Sequence, residues 1–227
     1  MSEPDPDSQH DLSEASFEDF VGFLFDHEVV PFPRDKNVGP FPWYWRVTVD
    51  YDPDSVIGYY TRLFTAPRFL LARFTVDQLE QGFWAMQGSL LDCSITDVIW
   101  ERDVPFANRE RCVRAMFDLF AQLFDGWSLE SSAVNMWWDS LAYDWECGNR
   151  SRANGGEDRP MQDVMFATIA RILDLPSETC QAAALHGLGH LHHPDTADLI
   201  QGYLTRNSAI SAELQDYALA AARFEVL

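Results

Sequence analysis

Lysine is almost absent from this chain. Lys36 is the only lysine among 16 basic residues, against 36 acidic residues, and the formal net charge is −20. A chain with this negative charge repels the phosphates of nucleic acids and of anionic membranes. Neither is therefore expected as a partner. A negative surface attracts cationic proteins and speeds their encounter. The alternative interpretation is that the acidity only keeps an aromatic-rich chain soluble.

Paired cysteines and long apolar runs are also missing. Four cysteines are scattered without C-x-x-C spacing, which is typical of reduced thiols in a core and predicts neither a disulfide framework nor a cysteine metal site. No apolar run reaches about 18 residues, the length of a membrane-spanning helix. The N-terminus is acidic and polar, the reverse of a secretory signal. These absences predict a cytoplasmic protein.

Hydrophobic residues are abundant, at 47% of the 227 residues, and 14% are aromatic, enough for a sizeable core. Capping patterns at Ser16 and Thr75 precede apolar residues at helical spacing, whereas only the short stretch Arg46–Tyr51 alternates like a strand. The prediction is an all-α fold with an irregular aromatic and proline-rich loop near the N-terminus. Residues 1–12 are expected to be disordered, 13–147 to form a helical aromatic-rich part, and 148–158 a linker or loop. Residues 159–227 are expected to form helical repeats continuous with the rest, giving one domain.

The most informative segment is residues 180–204, CQAAALHGLGHLHHPDTADLIQGYL. Its small residues allow a neighbouring helix to approach closely, and Leu185 and Leu188 fill the seam between helices. Pro194 marks the boundary between two helices. The small residues are Ala182, Ala183, Ala184, Gly187 and Gly189. The pattern almost recurs at residues 213–224.

This combination of an alanine-rich helix, an L-G-x-L turn and an L-x-x-L-like second helix resembles the HEAT-like repeats of the phycobilin-lyase type. The resemblance covers about the last fifty residues. It implies an α-solenoid of antiparallel helical hairpins with a surface for binding, and it names no chemistry.

His186 and His190 are four residues apart, so both can lie on one face of a helix and bind one metal ion. The segment lacks the glutamate of H-E-x-x-H, and the sequence fixes no third ligand. Histidines near a helix C-terminus also interact favourably with the helix dipole and can cap its last carbonyls. The sequence therefore favours a structural role without a cofactor, and the alternative is a metal-dependent enzyme that uses these two histidines.

A second candidate site is aromatic and acidic. Trp137 and Trp138 point about 100° apart on a helix, so both can be buried only if that helix is enclosed on two sides. The alternative is an aromatic groove in which Asp139 or Asp144 meets a cationic group. Further carboxylates lie on the polar sides of the last two predicted helices, at Asp195, Asp198, Glu213 and Asp216.

No nucleophile motif and no phosphate-binding glycine loop are present in the sequence. The leading hypothesis is therefore a non-catalytic, acidic protein-binding module. Its concrete form is a bacterial toxin-neutralising (immunity) protein that binds a cationic partner through the aromatic and acidic residues above. The alternatives are the metal-dependent enzyme and a scaffold or adaptor subunit.

Overall fold

A computed structural model describes residues 8–31, 39–126 and 132–226. The described chain is mostly helical, which confirms the all-α prediction. Short 3₁₀-helices cover Trp43–Arg46, Pro67–Phe69 and Phe124–Gly126. The α-helices are α1 (Phe17–Phe25), α2 (Pro53–Thr65), α3 (Leu70–Arg73), α4 (Val76–Gln87), α5 (Ile95–Val98), α6 (Phe106–Gln122), α7 (Ser132–Asn135), α8 (Trp137–Glu146), α9 (Asp158–Leu173), α10 (Glu178–Leu191), α11 (Thr196–Arg206) and α12 (Ala212–Ala221).

Two short strands, β1 (Ser8–Asp11) and β2 (Val47–Asp50), form a parallel pair. The second lies within the stretch whose alternation predicts a strand. The disorder expected for residues 1–12 does not extend to β1, because its backbone pairs with β2 and Gln9 donates a hydrogen bond to Asp50 Oδ2 at 2.8 Å. Leu12 is buried in the core directly after the strand. Residues 1–7, and residues 32–38 of the proline-rich loop, lie outside the described residues.

Side-chain caps explain where several helices begin. The Ser16 hydroxyl accepts from the Asp19 backbone N–H, while the Asp19 side chain accepts from the Ser16 backbone. Thr75 and Gln78 form the same reciprocal pair at the start of α4. Each capping box satisfies N–H groups that have no partner within the helix. Both predicted caps are confirmed.

The apolar spacing of residues 131–145 predicts one helix, whereas the structure divides this stretch into α7 and α8. Met136 adopts φ −90° and ψ 2°, outside helical geometry, and separates the two. Residue 131 lies outside the described residues. The break does not interrupt the apolar pattern, since Val134, Trp137, Trp138 and Leu141 are all buried.

One continuous cluster of buried apolar side chains extends from Leu12 to Val226. Arg109 of α6 is the large cation within it, 1% exposed, and it donates to the carbonyls of Val104 and Ile99 and to Glu157 Oε2. A buried cation is tolerated only when its donors are satisfied in this way. The arginine ties the start of α9 to the loop before α6.

The predicted linker over residues 148–158 is an ordered loop bonded to the helices on both sides. Arg150 forms ion pairs with Asp144 of α8 at 3.0 Å and with Asp158 of α9 at 3.3 Å. Its guanidinium also lies over the Trp100 ring, 3.3 Å from the ring centroid. These contacts hold α8 and α9 in one body.

Side-chain contacts give the relative directions of the last three helices. Tyr203, near the end of α11, donates to Gln181, near the start of α10, so these two helices are antiparallel. His186 meets Tyr217, and His192 stacks on Phe224 with ring centroids 4.5 Å apart, so α12 runs parallel to α10. The helix α11 is therefore antiparallel to both α10 and α12. The HEAT-like solenoid itself stays a prediction.

Within the described residues, no helix is both long enough and apolar enough to cross a bilayer.

Candidate functional site

Three potential metal ligands from two helices converge at one point. Asp139 lies on α8, and His186 and His190 lie one turn apart on α10. The two Nε2 atoms of the histidines are 3.2 Å apart. Asp139 Oδ1 lies 3.1 Å from Nε2 of His190 and 4.0 Å from Nε2 of His186.

A glycine brings the two helices close enough for this contact. A Cβ atom on Gly187 would lie 2.2 Å from Cβ of Trp138, nearer than any side chain can pack. Trp138 immediately precedes Asp139, and Gly187 immediately follows His186. The small residue therefore sets the approach of α10 to α8 at the position of the site.

Both imidazoles have a polar side chain at the ring nitrogen that faces away from the site. The Glu146 carboxylate lies against Nδ1 of His190, but no group among the described residues forms a hydrogen bond with that nitrogen. The Tyr217 hydroxyl of α12 contacts Nδ1 of His186. Partners of this kind orient metal-binding histidines and fix which nitrogen carries the proton.

The place of the proton on His190 decides which hydrogen bonds the three converging atoms can form. With that proton held on Nδ1 by the adjacent Glu146 carboxylate, Nε2 presents a lone pair to the site. If Nε2 of His186 carries a proton, it can donate to His190, but the Asp139 carboxylate then faces His190 without a hydrogen between them. A cation shared by all three atoms removes this conflict.

Burial keeps the imidazoles in the form that binds metals. Each histidine is 6% exposed. Burial lowers the pKa of both His186 and His190, and the Asp139 carboxylate partly opposes the shift. Both rings are consequently neutral at neutral pH, as metal ligation requires. The Asp139 side chain is 22% exposed and gives solvent a route to the cluster.

The spacing of the three atoms fits a transition-metal ion. An ion bound about 2.1 Å from each ligand atom holds those atoms about 3.0–3.4 Å apart. Two of the three distances fall in that range, and the third, between Asp139 Oδ1 and Nε2 of His186, is longer, at 4.0 Å. Two surface cavities, of about 560 and 430 Å³, have other linings, which include Arg150 in the first and Trp84 in the second.

The two tryptophans proposed as partner anchors lie in the core, because α8 is enclosed on two sides. Both are 0% exposed. Trp137 makes edge contacts with Phe64, Phe83 and Phe124, and Trp138 stacks on Phe120. Neither ring presents a surface to a partner. The core interpretation therefore applies, and the aromatic groove does not form.

The six carboxylates proposed for partner binding do not share one location. Asp139 belongs to the histidine cluster, and Asp144 is held by Arg150 of the same chain. Asp195 lies at the start of α11, with Oδ2 3.9 Å from Nδ1 of His193. The exposed residues Asp198 and Glu213 lie in the first turns of α11 and α12, and exposed Asp216 lies near the middle of α12. Because these helices are antiparallel, Asp198 and Glu213 lie at opposite ends of the pair.

The capping role predicted for His186 and His190 is not what their contacts show. Their rings turn toward α8 and α12, and within the described chain neither ring bonds a helix carbonyl. Sequence reasoning also missed Glu146 and Tyr217. A signal existed for Glu146, since Asp139 and Glu146 are seven residues apart and share one helix face.

Comparison with protein-family models, with curated proteins and with solved structures gives no match for this chain.

Proposed function

We propose that this protein binds one divalent transition-metal ion through Asp139, His186 and His190. The observation that carries the proposal is the convergence of two Nε2 atoms and one carboxylate oxygen within 4.0 Å. Two further observations support it: a polar side chain lies at the remote nitrogen of each histidine, and burial lowers the pKa of both rings.

The donor set, two imidazoles and one carboxylate, fits zinc and iron(II), of which zinc is the first candidate. Imidazole nitrogens prefer zinc, iron, copper or nickel over magnesium and calcium, which prefer oxygen donors. Three protein ligands leave at least one coordination position, and within the described residues the cluster contains no fourth histidine, cysteine or carboxylate. A zinc site with three protein ligands and a bound water is typical of catalysis, whereas structural sites have four protein ligands. Such a water ionises near neutral pH, so the activity class this site supports is metal-dependent hydrolysis.

Metal analysis of the purified protein tests this proposal. We expect about one zinc equivalent per chain after exposure to zinc and dialysis, retained at submicromolar free metal. His186→Ala combined with His190→Ala should abolish retention, and Asp139→Asn should weaken it. His10→Gln, which changes a histidine of β1 outside the cluster, is the matched control and should retain the metal. Wild-type protein without retained zinc, iron, cobalt or nickel would refute the proposal.

A second candidate is the cationic protein partner indicated by the net charge of −20. Asp198, Glu213 and Asp216 support it, since no basic side chain in the described part of the chain pairs with these exposed carboxylates. A toxin-neutralising protein is the concrete form of this candidate. Here the association rate should fall steeply with salt, because screening acts over about 8 Å at physiological ionic strength. Asp198→Arg should slow association with a cationic toxin domain at low salt, and a rate indifferent to both salt and this reversal would exclude steering.

A further inference from the structure

Tyr217 of α12 contacts the Asp139, His186 and His190 cluster. Its hydroxyl meets Nδ1 of His186, and the planes of the two rings are nearly parallel, at 11°, with centroids 6.2 Å apart. Burial raises the pKa of Tyr217 to about 12, and the nearby Asp139 carboxylate adds to the shift. The phenol is therefore protonated and can act as either donor or acceptor.

Metal binding assigns the direction of this hydrogen bond. When Nε2 of His186 binds a cation, the proton of the neutral ring lies on Nδ1 and must be donated. The Tyr217 oxygen is the acceptor in reach. The metal polarises the ring and strengthens this donor, so the bond is stronger with metal than without it.

The helix that carries Tyr217 has a small apolar anchor. Its buried residues are Leu214, Ala218 and Ala221, two of them alanines. Beyond its end, Val226 packs against Gly189, and Phe224 stacks on His192. An element with little buried apolar area opens locally at low free-energy cost. The contact of Tyr217 with His186 adds a polar link to this small apolar interface.

We propose that Tyr217 is a positioning residue for the metal site, so that metal affinity and the docking of α12 depend on each other. This inference rests on the proposed metal binding. By thermodynamic linkage, docked α12 raises metal affinity by the same factor by which bound metal favours docking. Bound metal therefore stabilises the docked position of α12, and any interaction that displaces α12 lowers the affinity of the site for metal.

Metal titration of Tyr217→Phe tests whether the contact between α12 and His186 raises metal affinity. The probes are Zn²⁺, measured by competition with a chelating dye, and Co²⁺, whose visible spectrum reports the coordination sphere. We expect Tyr217→Phe to bind about tenfold more weakly than wild type, within the range usual for residues that orient metal ligands. Tyr203→Phe is the matched control, because it removes a buried tyrosine hydroxyl that also bonds α10, through Gln181, away from the cluster. Its metal affinity should equal that of wild type.

Hydrogen exchange tests whether bound metal favours the docking of α12. Zn²⁺ should slow amide exchange in α12 about tenfold or more while leaving α1 unchanged, and Tyr217→Phe should lose most of that protection. Wild-type affinity in Tyr217→Phe, or α12 exchange indifferent to bound zinc, would overturn this inference while leaving the metal site in place. Absence of zinc binding by wild type would overturn the metal site and this inference together.

Discussion

The Nε2 atoms of His186 and His190 are 3.2 Å apart, and Asp139 Oδ1 lies against the same pair. Two neutral imidazoles can share one proton at this distance, but a carboxylate on the same side then has no hydrogen to accept from His190. Buried acceptors that face one another without a proton are costly. A bound cation satisfies all three, which is why the metal site is favoured over a purely structural pair.

Glu146 should control metal affinity through His190. Its carboxylate contacts Nδ1 of His190 and so holds the opposite nitrogen ready for the metal. Glu146→Ala should reduce zinc affinity about 10–100-fold, the usual effect of removing such a partner. Glu146→Gln should lose less, because an amide oxygen can still accept the proton. Chelator-competition titration measures both.

The control for this experiment is Glu110→Ala. Glu110 lies on α6 in an ion pair with Arg114 at 2.8 Å, and it is partly exposed. Its removal also changes the net charge by one, so a general electrostatic effect on cation binding would appear in both variants. Equal losses of affinity in the two would contradict a role for Glu146 at the site.

Gly187 should be essential for bringing α10 onto α8. An added Cβ would lie 2.2 Å from Trp138 Cβ, so the helices must separate. Gly187→Ala should destabilise the protein by about 1–3 kcal/mol or more, as overpacking does. It should also weaken zinc binding, because His186 moves with the helix away from Asp139. Thermal unfolding without metal and zinc titration below the melting temperature separate the two effects.

Gly58→Ala is the matched control. Gly58 lies in α2 with nothing within 4 Å of an added Cβ. Alanine there should stabilise the helix by about 0.5–1 kcal/mol, because glycine loses more backbone entropy on folding. If Gly187→Ala behaved like Gly58→Ala, the packing at Trp138 would have to be looser than the structure shows.

Local sequence signals were sufficient for the helices and their caps. Ser16 and Thr75 begin α1 and α4 because capping depends only on residues three positions away. Met136 was not foreseen as a break between α7 and α8, since the apolar spacing runs through it. The strand at residues 8–11 was missed because its partner lies some forty residues away and its own composition is polar.

At the site, too, the sequence predicted contacts within one helix but not contacts between helices. The i, i+4 spacing of His186 and His190 indicated a possible metal pair. The third ligand depends on packing of α10 against α8, and sequence spacing does not fix that contact. The two tryptophans beside Asp139 were ambiguous for a related reason: a helix with apolar residues on several sides is buried only if neighbours enclose it.

Asp158 should contribute stability that disappears in acid. Burial raises its pKa, but hydrogen bonds from the Ser151 backbone and Asn154, together with Arg150, outweigh that effect and leave the pKa below its usual value of 3.8. A lowered folded-state pKa gives stability that is complete above the unfolded-state pKa and is lost as the pH falls through the folded-state pKa. Asp158→Asn should therefore lower the free energy of unfolding at pH 7 by about 1 kcal/mol, the scale of one ordinary hydrogen bond or one partly exposed ion pair. The difference from wild type should shrink below about pH 4 and vanish in stronger acid, as measured by urea denaturation across the pH range.

Asp198→Asn, at an exposed position of α11, is the control and should leave stability nearly unchanged at neutral pH. A difference between wild type and Asp158→Asn that stays constant from pH 7 to pH 2 would show that the carboxylate's charge contributes nothing to holding the 148–158 loop.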